Sequence, residues 1–251
     1  MQQNLKNEEL AYWIGLVQAN GSLKKYSYRK NKKVYEKLTL EFDVKDKVLV
    51  ENFQKVCKRS LKRNPKIFYR SRGTWTCHID VKKLQHLFKE LDICFSDPPI
   101  PPRWCIKNEN FFGAYLAGVI DGDGDIRIKR KKYPQCVIRI VSGSKQTNLA
   151  ENIKRLLKCS VSITKRYRVS FFHQEKRLIS GVSFSLEFLT SSKNFTFIKN
   201  YILPRINLLR KSSKLKDYIT KRWVEQDLNL RFPPRQGGVI TGLDHRPSTT
   251  Y

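Results

Sequence analysis

The sequence predicts an α+β protein made of two copies of one helix–hairpin–helix–hairpin–helix unit. Three observations carry this. The stretch Leu10–Leu23, LAYWIGLVQANGSL, is a blurred copy of part of Phe111–Ile126, FFGAYLAGVIDGDGDI, and aligning Gly15 with Gly118 sets the copies 103 residues apart. After each copy the hydrophobic period changes from that of a helix to that of a strand. Between the copies, Ser96–Pro102 places four prolines in five residues, which suits neither a helix interior nor a central strand and gives a stiff, extended connector. The expected organisation is a first repeat at 1–96 with its motif at 13–21, a linker at 97–110, a second repeat at 111–221 with its motif at 116–124, and a mobile tail at 222–251.

Each element has its own reason. Leu10, Trp13, Ile14 and Val17 share a helix face over Leu10–Ala19, and Gly21 follows as a stop. From Ser22 to Val44, Leu38, Leu40, Phe42 and Val44 alternate with polar residues, as on a half-buried hairpin turning at Arg29–Lys32. Asp46 is placed to cap a helix running to about Cys57. Ile67–Arg70 and Thr74–Val81 form a second hairpin around Arg72-Gly73, and Lys83–Leu91 closes the half as a helix. The second half repeats the order. Phe111–Asp121 is a helix; Asp125–Arg130 and Gln135–Ser142 flank the basic turn Lys131–Pro134; Asn148–Leu157 is a helix. Val161–Phe172 and Leu178–Leu189 form a longer hairpin, and Asn194–Ile202 and Ile206–Ile219 are helices parted by Pro204.

Composition bounds the partner. Lys plus Arg number 50 against 22 Asp plus Glu, a formal charge of +28, and this excess points to a polyanion, with nucleic acid ahead of a membrane surface. No long apolar run or lipidation motif supports the membrane alternative. The six cysteines form no C-x-x-C pair and the polar start Met1–Glu9 has no secretory core, so reduced intracellular thiols are expected. Four scattered histidines, His78, His86, His173 and His245, make no ligand-spaced cluster.

Within each copied helix, small residues stand four apart: Gly15 and Ala19, Gly118 and Gly122. Small residues on one face let two helices approach more closely than usual. Packing the copies face to face brings Asp123 beside its counterpart Asn20 at a pseudo-twofold axis. An acid at a helix C-terminus opposes the dipole, so a metal role is favoured over a capping role. Oxygen ligands facing phosphate suit Mg²⁺, with Mn²⁺ or Ca²⁺ able to occupy the same site. Asp121, whose counterpart is Gln18, reads as structural.

Here the chain resembles a known family, the LAGLIDADG homing endonucleases, in their single-chain, two-motif form. Leu116–Gly124, LAGVIDGDG, matches seven of nine letters of the motif, and Trp13–Gly21, WIGLVQANG, matches four. The resemblance implies two αββαββα repeats, whose four-stranded antiparallel sheets form a saddle over DNA with the motif helices at the interface. It implies a monomer that hydrolyses double-stranded DNA at a long site with Mg²⁺. It assigns the metals to Asp123 and Asn20 with the adjoining Gly124 and Gly21. Asp46 and Ser144 would order water, and Lys107 and Arg210 or Lys211 would stand near the scissile phosphate. The amide at Asn20 departs from the pattern and implies reduced or nicking-only activity. Two rival functions follow: an intron RNA maturase, or a DNA-binding protein that has lost catalysis. The family also suggests an organelle-encoded protein of a chloroplast or mitochondrion, or a microbial one.

Strand alternation nominates the DNA-facing side chains: Lys24, Tyr26, Tyr28, Lys30, Arg70, Arg72, Thr76 and His78 in the first half. In the second they are Arg127, Lys129, Arg139, Arg166, Arg168, Ser183 and Ser185. The opposite faces carry Ile126, Ile128, Ile138, Ile140, Tyr167, Val169, Phe184 and Leu186, expected to be buried under helices.

Overall fold

The computed structural model describes residues 5–30, 33–71, 73–95, 98–129, 134–172 and 177–231. Residues 31–32 and 130–133, Arg72, His173 and the segment 232–251 with His245 lie outside the described residues, as do the side chains of Tyr28, Lys30 and Arg168. The first repeat runs α1 (Glu8–Asn20), β1 (Gly21–Lys30), β2 (Lys33–Val44), α2 (Lys47–Val56), β3 (Lys66–Arg70), β4 (Thr74–Asp80) and α3 (Gln85–Glu90). A short helix, α4 (Arg103–Ile106), precedes the second repeat. That repeat runs α5 (Glu109–Asp123), β5 (Gly124–Lys129), β6 (Gln135–Ser142), α6 (Thr147–Leu157), β7 (Val161–Phe172), β8 (Arg177–Leu189), α7 (Ser192–Phe197) and α8 (Leu209–Arg231). The strands form two four-stranded antiparallel sheets, ordered β1-β2-β4-β3 and β5-β6-β8-β7. The fold is α+β.

The two motif helices form the centre because they are apolar on nearly every side, and such a helix must be enclosed. In α5 every residue from Phe112 to Asp121 is buried. Both helices start on an asparagine cap: the Leu10 N–H donates to Asn7 Oδ1 at 2.8 Å and the Phe111 N–H to Asn108 Oδ1 at 3.2 Å. Both end on a glycine that is also the first strand residue. The Gly21 N–H donates to Val17 O and the Gly124 N–H to Ile120 O. Gly21 then pairs with Phe42 and Gly124 with Ile140, so each motif delivers its last residue straight to a sheet edge.

One face of each sheet packs on helices. Leu40, Phe42, Cys77 and Ile79 line it in the first sheet and Ile126, Ile138, Ile140, Leu186 and Phe188 in the second, all buried. In the first core Trp13 stacks on Phe53 with ring centres 5.1 Å apart and meets Phe95 edge-on. The proline connector is clamped in place. The Gln18 side-chain amide donates to Cys94 O and Ile100 O, and the Trp104 indole N–H to Leu91 O at 2.8 Å.

Several expectations change. Asp46 holds the position before α2 but makes no side-chain capping bond. The last helix starts later than expected and continues to Arg231, past the boundary placed at 222. Ile128, near the end of β5, is exposed, and so are Tyr167 and Val169, by 76% and 69%. For the last two the reason is that the β7–β8 hairpin outruns the core: Val161 and Ile163 pack against it, whereas the strand beyond projects free of it.

The close approach of α1 and α5 yields the first test. A Cβ at Gly118 would collide with the carbonyl of Tyr12 and stand 2.8 Å from the Leu16 nitrogen, whereas one at Gly181 meets nothing within 4 Å. Gly118→Ala is expected to cost about 3 kcal/mol or more, as overpacking against rigid backbone does. Gly181→Ala should stay within about 0.5 kcal/mol. Urea denaturation of the two variants checks both.

Candidate active site and nucleic-acid interface

The two motif helices run side by side in the same direction. At their N-terminal ends Arg205 ties both, donating to Glu8 Oε2 at 2.8 Å and to Asn110 Oδ1 at 2.9 Å. Midway, Gly15 faces the backbone of Tyr115 and Gly118 that of Tyr12. At the C-terminal ends a Cβ on Gly122 would stand 2.6 Å from Ala19 Cβ and 2.9 Å from Asn20 Nδ2. The amide of Asn20 therefore lies against the turn that carries Asp123, and both residues are part-exposed.

A second pair of matched contacts locks this arrangement. The Tyr12 hydroxyl donates to Asp121 Oδ2 at 2.7 Å, and the Tyr115 hydroxyl donates to Gln18 Oε1 at 2.7 Å. These are the same bond in the two repeats, since Tyr115 is the counterpart of Tyr12 and Asp121 of Gln18. One repeat uses an acid and the other an amide, and the charge difference has a consequence. Asp121 is buried and also accepts from the Asn207 N–H at 2.7 Å. Burial raises its pKa, opposed by the bonds from Tyr12 and Asn207.

Beside it lies Lys211, among the described residues the only buried lysine. Its ammonium donates to Ile120 O at 2.6 Å and Asp121 O at 2.9 Å, so a cation sits on the negative end of α5. Burial lowers its pKa to about 8, against the pull of Asp121, Asp123 and Asp125, while Arg210 adds to the lowering. In the first repeat the neutral Gln18 reaches instead to the connector carbonyls, and Arg103 turns out to Asp92.

The sheet faces away from the helices carry the basic side chains, each grouped around an acid. On the first sheet, Glu41 accepts from Lys24 at 2.6 Å and from the Tyr26 hydroxyl at 2.7 Å, and lies 3.1 Å from His78. Arg70 stands between Glu41 and Asp43, and the Thr76 hydroxyl donates to Asp43. On the second sheet Glu187 lies 3.5 Å from Lys129, 3.5 Å from Arg166 and 3.7 Å from Arg139. Arg139 also donates to the Ser185 hydroxyl at 2.7 Å, and Arg127 pairs with Asp125. Thr76, Arg139 and Ser185 are on the expected face yet buried. They sit on the inner strands, beneath longer side chains, so they support that surface rather than present it.

Residues 111–202 match the family model of the LAGLIDADG-like domain. That segment is a LAGLIDADG-like domain. The chain's fold is that of homing endonucleases built on two such repeats. The structure described as I-DmoI in complex with DNA and Ca aligns with a TM-score of 0.52 at 18% identity, covering 85% of this chain and 99% of that one. A lysine-to-alanine mutant of I-SmaMI aligns with a TM-score of 0.52 at 16% identity, covering 90% and 93%. The LAGLIDADG homing endonuclease I-GzeII in complex with its DNA target aligns at 0.50 and 15%, covering 88% and 92%. At such identities the likeness is one of fold. No curated protein sequence matches the chain.

Within this LAGLIDADG fold the remaining candidates separate. Asp46 and Arg210 come together across the repeats, Nη2 to Oδ2 at 3.0 Å. Ser144 follows β6, and its N–H donates to Ser142 Oγ at 3.2 Å. Lys107 stands apart from them. It is exposed at the end of α4, and the 15 residues of α5 separate it from Asp123, roughly 20 Å at the α-helical rise. Gln146 is a residue that sequence reasoning missed. It is fully buried at the start of α6, and neither side-chain amide atom has a hydrogen-bond partner among the described residues. No periodicity marks it, since a buried glutamine beside a helix start reads from sequence as a solvated loop residue. Glu41, Asp43 and Glu187 belong with that set: strand alternation shows that they share the basic faces but not that they pair with cations from neighbouring strands.

Among the described residues no three His, Cys, Asp or Glu side chains form a metal-ligating group. The donors at the motif ends are one carboxylate, Asp123, and one amide, Asn20. This oxygen set fits a hard divalent cation, with less negative charge than two acids would supply. Among the described residues no helix is long and apolar enough to cross a membrane.

Lys211 supplies the second test. Its folded pKa of about 8 lies below the ordinary 10.5, so between these pH values the unfolded chain binds more protons and stability rises with pH. The stability of the protein relative to Lys211→Met should therefore increase from pH 7 to pH 10, by up to about 3 kcal/mol. Urea denaturation of both proteins at the two pH values measures it.

Proposed function

We propose that this chain is a site-specific endonuclease that hydrolyses phosphodiester bonds of double-stranded DNA at a long asymmetric target, acts as a monomer with a divalent cation, and favours one strand. The supporting observation is the inequality of the two motif ends. Asp123 shares its helix end with Lys211, whereas the first motif ends in the uncharged Asn20 beside the neutral Gln18. The DNA complexes of I-DmoI and I-GzeII, which have this fold, lend the substrate class.

The residues divide the work. Asp123, with the amide of Asn20, would hold Mg²⁺, or Mn²⁺ or Ca²⁺ in its place. Bound there, the cation would supply an activated water and would neutralise the leaving oxygen. Lys211 offsets the charge of Asp123 and Asp125 and fixes the end of α5 by holding two of its carbonyls. Its pKa of about 8 lets it exchange a proton near neutral pH. Arg210 and Asp46 are bonded across the repeats, and Arg210, which is exposed, would face a bound strand. The two sheet faces carry different side chains, which suits unlike half-sites.

The uncharged Asn20 also favours a second reading, in which the chain binds duplex DNA, or intron RNA as a maturase, without cutting. One assay separates these. A target selected from a randomised duplex pool is placed in a supercoiled plasmid and incubated with protein and Mg²⁺. Nicked circles are expected to accumulate before linear product. Asp123→Asn should slow nicking by about a hundred-fold or more, as loss of a charged active-site group does. Asn20→Asp should raise the yield of linear product. A gel shift with no cleavage supports the binding-only reading, and tighter binding to intron RNA than to any duplex supports the maturase.

A further inference from the structure

The first sheet carries an arrangement that the proposed cleavage does not use. Glu41 lies on the inner strand β2, on the face free of helices, and its side chain is only 6% exposed. Both of its oxygens are taken. Oε1 accepts from the Tyr26 hydroxyl and stands 3.1 Å from His78 Nε2, while Oε2 accepts from Lys24 and faces Arg70 at 3.9 Å. These four partners come from the three other strands of the sheet. Burial pushes the Glu41 carboxyl up, but the bonds from Lys24 and Tyr26 and the charge of His78 outweigh it and hold the pKa below the ordinary value.

A carboxylate on a surface meant for phosphates opposes binding, at about 1 kcal/mol in water and more in a dry interface at contact distance. Its presence therefore calls for a compensating role. Direct readout is one candidate, since a carboxylate can accept from the cytosine amino group. The filled oxygens and low exposure of Glu41 argue against it. Positioning is the other. Lysine and arginine lose much rotamer freedom on binding, and a donor already fixed in place loses less.

The second sheet provides an internal contrast. Glu41 faces His78 across β2 and β4, and Arg139 faces Glu187 at the matching place across β6 and β8, so the acid and base have exchanged strands. Around Glu187 the distances are 3.4 to 3.7 Å, and its side chain is 21% exposed. The second group is thus looser and more open than the first.

We propose that Glu41 is a positioning residue for sequence discrimination: it locks Lys24, Tyr26, Arg70 and His78 into one arrangement that reads the base pairs beneath the first sheet. The proposal rests on the duplex-binding reading above. Its signature is a split between affinity and specificity. Without the carboxylate the freed cations reach phosphates of any sequence, so general binding tightens while discrimination falls.

The test uses the full chain and binding alone, without cleavage. The wild type is first used to select duplexes from a randomised pool, which establishes its preferred sequence. Binding of that duplex and of a scrambled one is then measured for wild type and Glu41→Gln at several salt concentrations. The expected result is a loss of about ten-fold in the specific-to-scrambled ratio, the size of one good base contact. Scrambled-duplex affinity should be equal or higher, with a salt dependence steeper by about one phosphate contact. The lost discrimination should map to base pairs on one side of the target centre. An unchanged ratio in folded Glu41→Gln overturns the proposal. Should that variant fail to fold, Tyr26→Phe, which removes one part-exposed donor, must still weaken discrimination at the same base pairs, and no change there overturns it equally. If the wild type selects no sequence at all, the duplex-binding reading fails first and this one with it.

Discussion

The structure depends on the approach of two helix backbones. Gly15 and Gly118 leave no room for a side chain between α1 and α5, and each faces the backbone of a tyrosine in the other helix. Everything functional is measured from that contact. It brings the ends of both helices together, and because Gly21 and Gly124 are at once helix stops and first strand residues, it also fixes where each sheet begins. Helices this close cannot slide, so small side chains in the interior set the geometry of a surface many residues away.

The same contact makes the two repeats unequal in a defined way. The tyrosine bond is kept on both sides, but its acceptor is an acid in one repeat and an amide in the other. A buried acid needs a cation nearby, and Lys211 stands beside Asp121 and holds two carbonyls at the end of α5. The amide needs only carbonyls, and it takes them from the proline connector. The amide at Asn20 thus coincides with an uncharged side chain at Gln18, where the other repeat has Asp123 and Asp121. Both amides give one motif end a lower charge density than the other, while the tyrosine bond and the close helix packing are present on both sides.

Much of the fold was legible because local and global signals agree. The repeat, the period-two alternation and the small residues four apart all describe features that the chain itself must satisfy. The site was less legible where a residue's role is set by something distant in sequence. Lys211 was one of three basic candidates, and only burial against Ile120 and Asp121 distinguishes it. Lys107 looked equivalent by order along the chain, but it precedes α5, and Asp123 is at that helix's other end. Glu41 read as one polar residue of an alternating strand, yet it gathers donors from the three other strands. Tyr167 and Val169 followed the alternation correctly and still ended exposed, because alternation gives the face of a strand and not the reach of the layer that covers it.

In the proposed endonuclease the acid at Asp123 and the amide at Asn20 make the two motif ends unequal, so that one strand is cut faster than the other. Single-turnover cleavage of a linear duplex bearing the selected target, with a separate label on each strand, tests it most directly. The account predicts that one strand is cut at least about ten-fold faster, a difference of about 1.4 kcal/mol in barrier. It further predicts that Asn20→Asp narrows the gap by speeding only the slower strand. Equal rates on both strands in the wild type would contradict it.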